Sequence, residues 1–145
     1  MKKVLIHVIG LLCLLVLAVS PISAQQWEYS NNKEREFMSE DEYYHQLKAS
    51  IYKEYEDATF SMRQKIPYKE FPDILWRFEM KTGAHVNQPK QKLTPTIHPD
   101  RQVYFFGTFI QTKDKENWKY IVIDAESGKS LEGGSRFHKY ENPYN

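Results

Sequence analysis

Two histidines that share one long loop are the side chains in this sequence with the widest chemical scope. His85 and His98 lie within residues 84–100, a stretch interrupted by three prolines. With Asp100 as a third ligand, the two imidazoles could meet around a metal ion or a substrate. Histidines in such loops are more often solvated, and the sequence has no HExxH, CxxC or glycine-rich phosphate motif. We therefore predict no metal site, and a small enzyme built on this loop is a third alternative.

A Ser-His-Asp site would need a serine on a tight turn with a base within reach. Ser127 and Ser135 occupy predicted turns, but nothing in the sequence marks a partnered base for either of them. Asp73, Glu79 and Asp124 are the candidate carboxylates. Asp124 ends a predicted strand before a turn, where an acid typically accepts hydrogen bonds from backbone amides. The sequence therefore predicts no catalytic residue, no cofactor-binding residue and no enzyme.

The first 24 residues have the three-part pattern of an export signal. Two lysines precede an apolar run over residues 4–19, and Pro21 and small residues then lead to Ala24. We predict cleavage after Ala24, with Ser20 as a second candidate position. The pattern predicts a secreted or cell-envelope protein that touches a membrane only through this segment, if the segment is not cleaved.

Two alternatives would keep the signal segment in the membrane. A spanning helix needs about 20 apolar residues, which is more than the run over residues 4–19 supplies. A lipid could be attached to Cys13, but Cys13 follows two leucines and lies inside the apolar run. We therefore favour cleavage over both.

The composition of the predicted mature chain, residues 25–145, excludes several classes of protein. Cys13 is the only cysteine, so the mature chain has no disulfide and no thiol nucleophile. This absence favours a bacterial protein over a disulfide-rich eukaryotic one. The formal net charge is +1 and becomes slightly negative once the two signal lysines are removed. There is no basic excess of the kind that indicates nucleic-acid binding.

Periodicity predicts one helix and four or five strands. A capping-box pattern at Ser39–Glu42 begins a helix whose apolar stripe continues to residue 57. Alternating apolar residues predict strands at 59–66 and 74–80. After the long loop, further strands are predicted at 102–112, 118–124 and, as a short edge strand, 130–138. The predicted fold class is α+β, with one long helix packed on a four- to five-stranded antiparallel sheet.

The predicted organisation is a single domain with short flanking segments. It consists of a signal peptide (1–24), a lead-in strap (25–38), one α+β domain (39–138) and a frayed tail (139–145).

The strands predicted after residue 100 are apolar on both faces, and one helix can cover only one face of a sheet. Tyr104, Phe106, Ile121 and Ile123 share a face and are the candidate partner-binding residues. Three covers are possible for the second face: the aromatic lead-in strap, the proline-rich loop, or a partner that could be a second copy of the chain. An exposed apolar patch of this kind typically marks an interaction site.

The segment from Trp118 to Leu131 reads WKYIVIDAESGKSL. It resembles the closing segment of PepSY-type domains, in which an aromatic-rich strand leads into a V-D-A-x-T/S-G-x-x-L turn. A cystatin-like or NTF2-like domain would also fit the order of elements. The PepSY resemblance implies a non-enzymatic exported module that binds or restrains a peptidase or another envelope protein, and it carries over no catalytic residue.

Two functional hypotheses follow for the predicted apolar face. In the first, the protein is an exported binding module that restrains a secreted or envelope hydrolase. In the second, it is an envelope or surface protein that forms a homodimer through the same face.

Overall fold

The computed structural model describes residues 26–83 and 90–140 of the chain. The predicted signal peptide (1–24), His85 and the tail residues 141–145 lie outside the described residues. Nothing below therefore bears on export, on a metal triad that includes His85, or on the predicted fraying of residues 141–145.

The centre of the fold is a four-stranded antiparallel sheet in the order β1-β2-β3-β4. Its strands are β1 (Phe60–Pro67), β2 (Gln102–Gln111), β3 (Lys115–Asp124) and β4 (Ser130–Lys139). The sheet and the position of each of its strands agree with the sequence patterns. The two helices are α1 (Glu40–Gln46) and α2 (Phe71–Lys81).

The helix α2 is the first correction, because the sequence pattern predicts a strand at 74–80. Pro72 lies in the first turn of α2, where its missing N–H costs no hydrogen bond. The buried residues follow helical spacing, whereas Trp76 and Met80, which alternation would have buried, are 37% and 50% exposed. The buried residues of α2 are Phe71, Ile74, Leu75 and Phe78.

The second correction is the long helix predicted from Ser39 to residue 57, which ends at Gln46. Its start is confirmed: the Ser39 hydroxyl accepts from the Glu42 amide, and the Glu42 carboxylate accepts from the Ser39 amide. After the break Tyr52 is buried, while Ile51 is 45% exposed. Packing of Tyr52 on the sheet outweighs helix propagation, because propensity differences amount to only tenths of a kcal/mol per residue. The predicted fold class of one long helix on a sheet is therefore wrong.

Both faces of the sheet are covered by the chain itself. The first face, here the α2 face, packs against α2 through residues that include Phe105, Tyr120 and Val122. The second, here the N-terminal face, packs against residues 26–58, which we call the N-terminal segment. The predicted lead-in strap is ordered where it is described, since Tyr29 forms a parallel bridge with Ile97.

Candidate functional site

The four candidate partner-binding residues lie in the core of the N-terminal face. Tyr104, Phe106 and Ile123 have no exposed surface, and Ile121 is 8% exposed. Five side chains of the N-terminal segment cover them: Phe37, Tyr43, Tyr44, Leu47 and Tyr52.

Of the three possible covers, the aromatic strap supplies only Phe37, and the broken helix region supplies the rest. Ring stacking fixes the contact, with the Tyr43 and Tyr104 centroids 4.2 Å apart. A partner could reach this face only after displacing the N-terminal segment.

The loop residues that suggested a metal or enzyme site are engaged in local contacts. The His98 Nδ1 accepts a hydrogen bond from the Asp100 amide at 3.1 Å, and its ring meets Trp27 edge-on. The Asp100 carboxylate pairs with the Lys69 ammonium at 2.7 Å. Within residues 26–83 and 90–140, no group of three metal-ligating side chains is present.

Asp124 belongs to a buried ion pair rather than to a catalytic triad. It accepts two hydrogen bonds from the Arg101 guanidinium, at 2.7 and 2.8 Å. It also accepts from the amide and hydroxyl of Ser127, at 2.9 and 2.6 Å. Burial opposes the charged form of Asp124, but these hydrogen bonds outweigh it and hold the pKa of Asp124 below its ordinary value. Among the described residues, no imidazole takes part in these contacts.

The same arginine anchors the N-terminal segment to the sheet. Arg101 donates to the Ser30 carbonyl at 2.7 Å and pairs with Glu126 at 2.8 Å. Glu126 also pairs with Arg35 of the N-terminal segment. A second anchor joins this segment to β1, where Arg63 forms two hydrogen bonds with Glu54. The cover of the N-terminal face is thus held by charge pairs at two separate places.

The strand β4 forms one of the two outer edges of the sheet. This strand pairs with β3 on one side, and no other described strand pairs with it. Its beginning is tied down by Glu132, which accepts from Tyr68 and Thr94 at 2.9 and 2.6 Å. From residue 135 to Lys139 every residue is exposed, and Phe137 is 63% exposed.

Alternation along the strand determines which backbone groups of β4 point outward. Neighbouring residues of an antiparallel strand direct their N–H and C=O groups to opposite sides. The Tyr140 amide donates to the Asp114 carbonyl at 2.8 Å, so the even-numbered residues from 134 to 138 face β3. The amides and carbonyls of Gly133, Ser135 and Phe137, and likewise of Lys139, therefore face the open edge.

The other edge of the sheet, formed by β1, is protected in a way that β4 is not. The Tyr68 amide donates to the Arg101 carbonyl at 2.7 Å, which places Pro67, Lys65 and Arg63 at outward positions. Proline has no N–H that could donate to an incoming strand, and charged side chains on an edge strand hinder its pairing with another chain. On β4 the corresponding positions begin with a glycine and a serine.

Positive charge surrounds the open part of β4 on the N-terminal side of the sheet. Lys115 and Lys139 lie directly opposite each other, an arrangement that is unfavourable unless an anion lies close by. Lys119 on the same face stacks over the Tyr55 ring at 4.5 Å. Burial, with the nearby charge of Lys53, lowers the pKa of Lys119. Of the carboxylates in the described part of the chain, Asp114 lies close to Lys115 and Lys139, whose charges help to lower its pKa.

The sequence patterns missed Arg101, which could have been found, because it precedes one strand of a predicted hairpin while Asp124 ends the other. The edge position of β4 was predicted, but its length of ten residues and its row of outward-facing backbone groups were not.

No protein-family model, curated protein or solved structure matches this chain. Across residues 26–83 and 90–140, no helix is long and apolar enough to cross a membrane.

Proposed function

We propose that this protein is an exported, non-enzymatic binding module whose β4 edge receives an extended, acidic segment of another protein. The observation that carries the proposal is the row of outward-facing backbone groups at Gly133, Ser135, Phe137 and Lys139. An extended peptide can add to such an edge as a further strand, and its backbone hydrogen bonds then supply the affinity.

Charge decides which strand would be accepted. Lys115 and Lys139 lie opposite each other, and the single nearby charge of Asp114 leaves a positive excess that an incoming carboxylate would reduce. Lys119 is the third cation on this face, and its ammonium lies over the rings of Tyr52 and Tyr55. Long lysine side chains reach across one strand spacing of about 4.8 Å, so alternating acidic residues of a partner would lie within their range. Phe137 offers the apolar contact between these charges.

The export pattern at residues 1–24 favours a secreted or envelope protein as the partner. The resemblance of residues 118–131 to PepSY-type domains favours a hydrolase or another envelope protein as that partner. Restraint of a hydrolase would require only that the added strand lie near its active site. No catalytic group of this chain takes part.

A direct test is to add a short synthetic peptide in which valine and glutamate alternate, and to follow amide hydrogen exchange. We expect protection to rise at Ser135, Phe137 and Lys139 and to stay unchanged along β1. A peptide with lysine in place of glutamate should not bind. Protection that instead rises with protein concentration, without peptide, would contradict the proposal and indicate pairing with a second copy.

The substitution Ser135→Pro should weaken binding of the acidic peptide by about tenfold or more, because it removes an outward donor and fills the space of the incoming strand. Its thermal stability should stay near that of the wild type, since that amide makes no bond to β3. Ser135→Ala is the matched control, because it removes the hydroxyl and keeps the amide. Unchanged binding by Ser135→Pro would exclude strand addition at β4.

A further inference from the structure

A cavity of about 300 Å³ lies at the opposite edge of the sheet, between the end of β1, the start of β2 and the N-terminal segment. Three lysines line it, Lys33, Lys65 and Lys69, together with Asp100 and Gln102. The volume is at the lower end of the range for small-molecule sites. The cavity is separate from the β4 edge, so it is independent of the function proposed above.

Backbone contacts hold the lysines at the cavity on ordered elements. The Gln102 side-chain amide donates to the carbonyls of Asn32, Lys33 and Arg35, at 3.1, 3.2 and 2.7 Å. These bonds fix the turn that carries Lys33. The Lys69 amide donates to the Pro99 carbonyl at 2.8 Å. Positions fixed in this way favour binding, because little conformational freedom is lost when a ligand arrives.

The charges of the lining side chains do not balance. Three lysines and one aspartate are among the lining residues, and the Asp100 carboxylate pairs with Lys69 at 2.7 Å. Lys65 donates to the carbonyls of Phe37 and Met38, at 2.8 and 3.2 Å, and its charge helps to lower the pKa of Glu42, which is not a lining residue of the cavity.

Lys33 has only a loose contact, at 3.7 Å, with the exposed Glu34. The pKa of Asp100 is lowered, chiefly by the hydrogen bond from Lys69. Desolvation opposes this shift, and the charges of Lys69 and Lys33 add to it. The lining residues therefore carry two more positive than negative charges, and the nearby carboxylates of Glu34 and Glu42 lie outside the lining.

We infer that this cavity binds a phosphate group carried by a small ligand, with Lys33, Lys65 and Lys69 as its cationic partners. A phosphate dianion matches the two surplus charges, and lysine binds phosphate as a compact point charge. The cavity also has room for a small organic group attached to the phosphate. Free phosphate and a phosphorylated small molecule share this chemistry, and the experiment separates them.

The test titrates inorganic phosphate and glycerol 3-phosphate into the full protein at constant ionic strength, with glycerol as the neutral control. Amide chemical shifts should saturate at Lys33, Lys69 and Gln102 with both phosphates and stay unchanged with glycerol. Tighter binding of glycerol 3-phosphate would identify a phosphorylated organic ligand, whereas equal affinities would identify phosphate itself. Non-saturating shifts spread over all surface lysines would overturn the proposal.

Two variants with opposite expected effects make the test specific. Lys69→Ala should weaken phosphate binding by about tenfold, through loss of one charge-assisted contact. Asp100→Asn should strengthen it several-fold, because it removes the competing carboxylate while the Asp100 backbone bond to His98 is kept. Lys48→Ala, at an exposed lysine away from the cavity, should change nothing. Equal weakening by Asp100→Asn and Lys69→Ala would show a merely structural role and reject the site.

Discussion

Replacing Asp124 with alanine is expected to destabilise the protein by about 3 kcal/mol, because it removes the buried counter-charge of the Arg101 guanidinium and leaves the partly exposed Glu126 to pair with it. Asp124 has no exposed surface and Arg101 is only 6% exposed. The loss should be visible as a lower midpoint in urea unfolding with an unchanged slope. Arg101→Ala should lower the free energy of unfolding by a similar amount, because it leaves the buried Asp124 carboxylate without the arginine.

Two controls define what the Asp124 result means. Asp73→Ala removes an acid from the exposed pair with Lys90 and should cost less than about 1 kcal/mol. Replacing Arg101 and Asp124 together with methionine and leucine should recover much of the loss, because no unpaired charge then remains. A cost for Asp124→Ala as small as that of Asp73→Ala would mean that the pair is solvated in solution.

The pH dependence of the same pair has a definite sign. The pKa of Asp124 is lowered in the folded protein, so its contribution is complete above the unfolded pKa of about 3.9 and is lost as the pH falls through the lower folded value. The difference in unfolding free energy between the wild type and Asp124→Asn should therefore narrow as the pH falls below about 4. A difference that widened on acidification would contradict the lowered pKa.

Phe106→Ala is the second substitution for which we expect a large loss, of about 3–5 kcal/mol. Phe106 is fully buried, and its ring lies 5.5 Å from that of Tyr44 and 6.1 Å from that of Tyr52, centroid to centroid. Removing the ring leaves a cavity between the sheet and the N-terminal segment. Thermal or urea unfolding of the purified protein measures the effect.

Phe137→Ala is the matched control, because it removes the same side chain from an exposed position and should change stability by less than about 0.5 kcal/mol. The comparison also separates two arrangements of the N-terminal face. If that face were free in the isolated protein and covered only by a partner, Phe106→Ala would cost little more than Phe137→Ala. A large difference between the two means that the chain supplies its own cover.

The sequence predicted the sheet well because its signals are local. The strands β2 and β3 are continuous apolar runs, and such runs require burial on both faces wherever the chain folds. The capping box at Ser39 could likewise be predicted, because its two hydrogen bonds join residues that are three apart in the sequence.

The helices were predicted poorly because their limits depend on distant contacts. Over seven residues, the apolar side chains of 74–80 fit alternation and helical spacing alike, and Pro72 was the signal that should have favoured a helix. The end of α1 at Gln46 reflects packing of Tyr52 on Phe106, which lies far away in the sequence. The candidate binding face was chosen from an apolar pattern that is correct, but the sequence could not show that residues 26–58 cover it.

The contacts of the N-terminal segment have a consequence for the folding rate. Arg101 reaches Ser30 across 71 positions, and Asn32 and Glu126 are joined across 94. Loop closure over such separations slows folding of small domains, typically to milliseconds or seconds. These contacts of the N-terminal segment can form only when the chain through Glu126 is available, so a chain that is still being synthesised lacks them until residue 126 has left the ribosome.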